Sequence, residues 1–545
     1  MSGPLFFSFV GSLIICMALI PPLMASAGRL HFVDFQGGRK MHAGPIAKVG
    51  GIALGVGTMV AILVWAPKDE MVASSLIGGI IILLFGAWDD RVGLTYKAKF
   101  LGQLLAALVV ISWGGVRLGT LPFLPDLDLP LWVTIPVTLI LLVGITNAIN
   151  LADGLDGLAG GLTLLSFGGM AYLAYISNDT VVMLMMVSVL GGLLGFLRFN
   201  TYPARIFMGD AGSQFLGFYL AVASIVLTDP SRGPYSPALM LFILGLPILD
   251  TVGVMIQRLR EGRSPFVGDQ NHVHHKLLAM GLSHHEAVVL IYFLQAAMVS
   301  LAYVLRWQAD SVVLALYGVI ALGVLAPFVN AGGVPMVFQR SRGERSSLTR
   351  LLERAKAVGW LARIPLQVLG ITIPTFLVIS VFLPRAIPDD VGGLAVILSG
   401  ILVIGWMAFP ETLPFLVRSG LYVGSTCVMY LSEESLSGPG LSLHPLLTAV
   451  FVLFAVLVLL HIRFGGNERF QTTPLDYLMV LLALVVPILP EMRIGDINLS
   501  LLTAKLIVLF FAFELLLHAF PRKQAGLGVI SLWLLFGLGM RAWWG

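Results

Sequence analysis

Trp132-Val-Thr-Ile-Pro-Val-Thr-Leu-Ile-Leu-Leu-Val-Gly-Ile145 runs almost directly into Asn147-Ala-Ile-Asn150-Leu-Ala-Asp153-Gly-Leu-Asp156-Gly157, and this stretch decides how the chain is read. The first part is an apolar run fit for a bilayer. The second sets two amides and two carboxylates three residues apart. Apolar spans do not ordinarily end that way, because ionisable side chains are costly in or near hydrocarbon and are kept where they act.

The rest of the chain supplies the matching context. Hydrophobic residues make up 58% of 545 positions and charged residues 11%, with a mean hydropathy of +0.94. Runs near twenty apolar residues recur from Leu5–Ala27 to Ile530–Met540, whereas the alternating ten-residue segments of outer-membrane barrels are absent. The expected fold class is therefore all-α, a polytopic integral membrane helical bundle with about 11 spans before Asn330 and about 7 after it. A net charge of +4 is read as loop topology rather than as a nucleic-acid surface. Cys16 and Cys427 are the only cysteines and both lie in apolar runs, which leaves no disulfide framework and no thiolate metal site. Met1 to Leu5 carries no basic residue and no clear cleavage pattern follows, so the first span is expected to be retained.

Charges between the spans give an orientation. Arg29 and Arg39-Lys40 fall on one side, while Pro67-Lys-Asp-Glu70 is short and acidic, which makes the first side cytoplasmic. Counting onward places Asp89–Lys99, Asn150–Gly157, Arg198–Ser213 and Arg258–His285 on that same face. Residues 1–330 are expected to form one domain, 331–365 a basic cytoplasmic linker or interfacial segment that includes Gln339-Arg-Ser-Arg-Gly-Glu-Arg345, and 366–545 an additional membrane domain. Beyond the linker Arg418, Arg463 and Ser432-Glu-Glu434 are read as loop charges, with no clustered chemistry and no internal repeat.

Several polar motifs could carry chemistry. Asp89 and Asp90 close an apolar run at the negative end of a helix dipole and repel each other, so a compensating cation is expected, with Lys97 and Lys99 nearby. Asn147 and Asn150 share a helix face, and Gly154 and Gly157 let the backbone leave helical geometry beyond them. Oxygen-only donors of this kind suit a hard ion such as Mg²⁺; helix capping accounts for one or two of the four, hardly all. In Arg205-Ile-Phe-Met-Gly-Asp-Ala-Gly-Ser213 one acid sits between glycines ahead of a span, where a helix N-terminus would offer free N–H groups to a phosphate. Asp269-Gln-Asn-His272-Val-His274-His275 follows Arg258, Arg260 and Arg263 and reads as a cationic, hydrogen-bonding pocket for a diphosphate. Zinc is disfavoured there, since the spacing is not His-x-x-x-His and the other donors are oxygens. Asp250 stands as an isolated intramembrane acid with a structural reading.

In this order, Asp-Asp with a downstream lysine, Asn-x-x-Asn-x-x-Asp-Gly-x-Asp-Gly, Phe-Met-Gly-Asp-x-Gly-Ser and His-x-His-His resemble the polyprenyl-phosphate N-acetylhexosamine-1-phosphate transferases, glycosyltransferase family 4. The resemblance covers roughly Gly28 to Val329 and takes in Arg39-Lys-Met-His42 and Gly50-Gly51, although Ala47 stands where the family usually has proline. The His-x-His-His form is similar to the branch that transfers N-acetylglucosamine phosphate, not to the His-His-His branch acting on muramyl-pentapeptide.

That resemblance implies transfer of N-acetylhexosamine 1-phosphate from a UDP-sugar to undecaprenyl phosphate, with UMP released and a cell-envelope polysaccharide initiated at the cytoplasmic face of a bacterial inner membrane. It implies Asn150 and Asp210 as ligands of Mg²⁺ or Mn²⁺. Lys99, His272, His274 and His275 would contact phosphates, and Asp153 and Asp156 with Gly154, Leu155 and Phe207 would receive the uracil. Asp89, ahead of Asp90, would act as base or metal organiser, and Lys48, Asn147 and Arg263 would bind substrate. Partners are then the UDP-sugar, the lipid phosphate and the bilayer, without nucleic acid, and the oligomeric state is open between monomer and homodimer. The alternatives are a membrane transporter or lipid flippase and a metal-dependent lipid-phosphate hydrolase.

Overall fold

Apolar runs separated by short polar turns become helices whose lengths follow the runs. In this computed structural model the described residues are 2–34, 45–122, 129–264, 272–329, 360–408, 413–436, 444–464, 478, 493–494, 497–520 and 524–544. Arg39 to His42, Asp269 to Asn271 and the basic stretch from Gln339 to Lys356 lie outside them. Twelve helices among the described residues are long and apolar enough to cross a membrane. The protein is a polytopic all-α membrane protein.

The chain divides into two compact units, Ser2–Arg340 and 341–545. The first contains α1 (Ser2–Ala27), α2 (Gly50–Trp65), α3 (Glu70–Val92), α4 (Tyr96–Ser112), α5 (Leu131–Ala152), α6 (Leu158–Ile176), α7 (Thr180–Asn200), α8 (Gly209–Leu227), α9 (Met240–Arg260), α10 (Val273–Ala279), α11 (His284–Leu305) and α12 (Asp310–Val329). Polar residues at the turns start several of these helices by satisfying free backbone donors. Asp69 accepts the Val72 N–H at 2.7 Å ahead of α3, Asp179 accepts the Val182 N–H at 3.0 Å ahead of α7, and Ser283 with Glu286 forms a reciprocal capping box on α11.

Helix α8 is the axis of this unit. All of its residues from Ala211 to Leu227 are buried, and α2, α3, α5 and α6 pack around it. Its N-terminal turn is thereby surrounded by the ends of its neighbours. Between α1 and α2 a small antiparallel hairpin pairs Val33 with Ala47 and Asp34 with Ile46. Ala47 also bridges to Ile206, which ties the hairpin to the loop preceding α8.

In the second unit the described helices are Trp360–Ser380, Asp389–Ala408, Leu413–Leu436, His444–Phe464, Leu499–Ala519 and Gln524–Trp544. Residues 360–365, expected in the linker, begin the first of them. Arg418 and Glu433, expected in loops, lie inside Leu413–Leu436 and pair across to Leu499–Ala519. The Nε of Arg418 is 2.7 Å from Glu514, and Lys505 pairs with Glu433, both side chains at most 2% exposed. These partners are 96 and 72 positions apart, which is why no cluster was visible in the sequence. Charges buried this deeply persist only when paired.

Candidate active site

Four helix ends meet around α8. The last turn of α3 carries Asp89 and Asp90, the first turn of α4 carries Lys99, the last turn of α5 carries Asn150, and the first turn of α8 carries Asp210. The Nζ of Lys99 donates to Asp210 Oδ2 at 2.7 Å and also pairs with Asp89 Oδ2. Asn150 Nδ2 donates to Asp210 Oδ1 at 2.9 Å and to Ser213 Oγ at 2.8 Å. The second oxygen of Asp89 accepts the Leu94 N–H at 2.5 Å. Lys99 is the cation that the Asp-Asp pair called for. Burial works against its charge, but Asp210 and then Asp89 outweigh that and hold the ammonium above the usual lysine range.

Asp90 faces another way. Its oxygens accept the N–H groups of Asp210 at 2.9 Å and Ala211 at 3.0 Å, so it caps α8 from a neighbouring helix. Two of the free N–H groups expected at this helix start are therefore already taken. Gly209 makes the approach feasible: its φ is +68°, and a Cβ there would lie 2.4 Å from Asp90 Oδ2.

Asn147 shares a helix face with Asn150, and its amide is held by Gln103 of α4 and by a carbonyl of its own helix. Its Nδ2 donates to Gln103 Oε1 at 2.7 Å and to the Val143 carbonyl at 2.8 Å, and Gln103 Nε2 in turn donates to Gln214 at 3.0 Å. Beyond α5 the chain turns into α6 through Asp153 to Gly157. Asp156 Oδ2 accepts the Ala204 N–H at 3.0 Å, and the Leu155 carbonyl accepts the Leu158 N–H at 3.0 Å. Asn200 takes the Gly157 N–H at 3.0 Å and donates to the Ile206 carbonyl at 2.9 Å, and Tyr292 Oη donates to the Gly157 carbonyl at 2.6 Å. Asp153 has no side-chain hydrogen bond among the described residues; burial, then the charges of Asp210 and Asp156, push its carboxyl up to about 7.

The histidine turn docks on this loop. His272 Nδ1 lies 2.8 Å from Asp250 Oδ2, and Asp250 Oδ1 accepts the Val273 N–H at 2.9 Å, starting α10. The His272 and His274 rings stack at 5.8 Å with a 7° interplanar angle. Among the described residues His274 Nε2 is buried without a hydrogen-bond partner, and a Cβ on Gly154 would come within 2.1 Å of it. Burial foremost, then the neighbouring His275, lowers His274 to about 4. His274 thus offers a neutral imidazole near neutral pH.

The remaining expected residues lie further out. Lys48, in the hairpin, is 4.0 Å from Asp34. Phe207 is fixed through its backbone, donating to the Ala47 carbonyl at 2.8 Å and accepting the Gly50 N–H at 3.0 Å, with a partly exposed ring. Arg263 is exposed and pairs with Glu261. Sequence reasoning missed Gln103, Gln214, Asn200 and Tyr292, while Asp250, read as structural, pairs with the start of α10. A glutamine inside an otherwise apolar span, as at 103 and 214, was the available signal.

Among the described residues no group of three or more His, Cys, Asp or Glu side chains is arranged to hold a metal ion. The donors that do converge are the carboxylates of Asp89 and Asp210, already arranged about one cation, Lys99, beside the carboxamide of Asn150. An all-oxygen set of one or two carboxylates fits a hard divalent ion that completes its shell from water and substrate phosphates.

A helical membrane protein with a polar cluster built from four helix ends is the class that fold and site define. The profile of glycosyl transferase family 4 matches residues 72–228, which hold Asp89, Lys99, Asn150 and Asp210. A probable undecaprenyl-phosphate N-acetylglucosaminyl 1-phosphate transferase of Bacillus subtilis (strain 168) is 35% identical over 289 residues, 53% of this chain and 81% of the relative. A decaprenyl-phosphate N-acetylglucosaminephosphotransferase of Mycobacterium leprae is 36% identical, covering 49% of this chain and 75% of the relative. The undecaprenyl-phosphate alpha-N-acetylglucosaminyl 1-phosphate transferase of Escherichia coli K12 is 28% identical, covering 52% and 78%. The chain belongs to glycosyl transferase family 4.

Proposed function

We propose that this protein transfers N-acetylglucosamine 1-phosphate from its UDP-sugar to undecaprenyl phosphate, at the cytoplasmic face of a bacterial inner membrane. The observation that carries the reading is the Lys99 ammonium held between Asp89 and Asp210 where four helix ends meet. Such a site suits one substrate from water and one from the bilayer. The names of the relatives support the sugar phosphate and the lipid acceptor.

In the reaction an oxygen of the lipid phosphate attacks the β-phosphorus of the UDP-sugar. A new P–O bond forms, the bond to the α-phosphate oxygen breaks, and UMP leaves with that electron pair. Both reactants are anions, so charge neutralisation and alignment dominate the barrier. Lys99 would steady the phosphates by moving between carboxylate and substrate. Asp210 with Asn150 would hold Mg²⁺, which when bound supplies further neutralisation of phosphate charge. Asp153 and Asp156, on the loop against His274, would receive the uracil, and His272 and His274 would donate or accept hydrogen bonds at the diphosphate.

Asp89 is the group we assign to deprotonating or orienting the lipid phosphate. A phosphate monoester has a second pKa of about 6, so a base contributes little above that value. Kinetics of Asp89→Asn decide between the two roles. A base predicts a much larger kcat loss at pH 6 than at pH 8, whereas equal losses assign Asp89 to organising cations.

A further inference from the structure

We infer that Gln295, a residue of α11 outside the cluster described above, is a positioning residue that holds a break in α9 and, through it, the histidine turn. The inference deepens the transferase reading and rests on it for its kinetic arm.

Helix α9 is interrupted at Gly245, whose φ of 40° and ψ of −119° are not helical, and Pro247 brings no N–H to repair the ladder. A broken helix at membrane depth must satisfy its freed backbone groups from neighbouring side chains. Gln295 is fully buried and meets both sides of the gap with one amide. Its Oε1 accepts the Leu246 N–H at 3.0 Å, and its Nε2 donates to the Ile243 carbonyl at 2.8 Å. The same Nε2 donates to Ser166 Oγ at 3.0 Å, and Ser166 donates to that Ile243 carbonyl at 2.8 Å. An apolar residue at 295 supplies neither group, and a carboxylate supplies no donor. Gly245 is fitted to the clamp, since a Cβ there would fall 2.4 Å from Gln295 Oε1.

The direction in which α9 leaves the break places Asp250, and Asp250 holds His272 and the Val273 N–H. His272 stacks on His274, which lies against Gly154 of the loop after α5. Packing does not fix this turn by itself. A cavity of about 20 Å³ lies beside it, lined among others by Leu246, Pro247, Asp250, Val273 and His274, which is room for one water molecule. The polar chain from Gln295 through Asp250 is what sets its position.

The test compares Gln295→Met, Asp250→Asn and the double variant in the full-length protein, by hydrogen exchange and by lipid-dependent UMP release. Amides of residues 272–279 should exchange about tenfold faster in Gln295→Met, while those of α8 stay unchanged. The kcat should fall on the order of 10- to 100-fold, with KM for the UDP-sugar moving less than about threefold. The double variant should be no worse than the poorer single one, because both act on one chain of contacts. Multiplying losses, or exchange that rises equally in α8, would overturn the assignment and make Gln295 a general stabiliser. If Gln295→Met does not fold, Ser166→Ala removes one of the two donors to Ile243 and should raise exchange in the same segment to a smaller degree; no rise there is equally fatal. A wild-type protein that releases no UMP would sink the transferase reading, and the exchange arm would still decide the clamp.

Discussion

Lys99 Nζ stands 2.7 Å from Asp210 Oδ2, across 111 positions of sequence, while pairing with Asp89 on its other side. A lysine in the first turn of a helix is disfavoured by the helix dipole; the two carboxylates offset that cost and fix where the ammonium sits. Lys99→Met leaves both carboxylates without their cation, and kcat should drop by about 10²- to 10³-fold. Lys99→Arg should recover little, because a planar fork does not reproduce a compact ammonium between two acids. Steady-state UMP release measures both, and near wild-type turnover in Lys99→Arg would speak against this geometry.

Asp90 and Asp210 are coupled differently, through the α8 backbone. Asp90→Ala removes the acceptor of two N–H groups and should destabilise the protein by about 1–3 kcal/mol while displacing Asp210. Asp90→Asn keeps one acceptor and should cost less. Thermal unfolding in detergent ranks the two, and equal stability of wild type and Asp90→Ala would remove the capping role.

Asp153 gives a pH signature. Its carboxyl sits at about 7 in the folded protein against an ordinary 3.8. A raised folded-state pKa means that stability is full below the ordinary value and is lost as pH climbs through the folded one. Asp153→Asn should therefore gain thermal stability over wild type, in EDTA, and the gap should widen from pH 5.5 to pH 8. A gap that is constant or narrows with rising pH would show that Asp153 keeps its charge throughout.

Asn200 and Tyr292 brace Gly157 from two helices. Asn200→Ala and Tyr292→Phe should each lower stability by about 0.5–1.5 kcal/mol. If the loop they hold is where uracil binds, KM for the UDP-sugar should rise in both variants, and titrating UDP-sugar against rate reads this directly.

The helices were legible because hydrophobic runs set their positions whatever packs beside them, and the meeting of Asp89, Lys99, Asn150 and Asp210 was suggested by motif order. What escaped reading depends on rotation and distant partners. Asp89 and Asp90 are adjacent, but one residue turns a side chain by about 100° around a helix, enough to send Asp90 to the α8 backbone and Asp89 to Lys99. The partner of Asn147, Gln103, lies 44 positions away, so the hydrogen bond between them could not be read from either neighbourhood. The φ at Gly245 is unpredictable from its own neighbourhood, since Gln295 is what stabilises it. In the second unit, Glu433 resembles a loop charge until its helix meets the one that carries Lys505.

The second unit invites a direct experiment. The motif set is complete before Asn330, so a chain ending there should insert, fold and release UMP. Loss of activity in a folded, membrane-inserted truncation would show that residues beyond 330 belong to the catalytic domain.

The central claim is sugar-phosphate transfer to a lipid phosphate at the Lys99–Asp210 cluster. Its most direct measurement is UMP release by the purified protein from UDP-N-acetylglucosamine with Mg²⁺, with and without undecaprenyl phosphate, beside Asp210→Ala. The account predicts release that requires the lipid and disappears in the variant. Lipid-independent release, or full activity in Asp210→Ala, would contradict it.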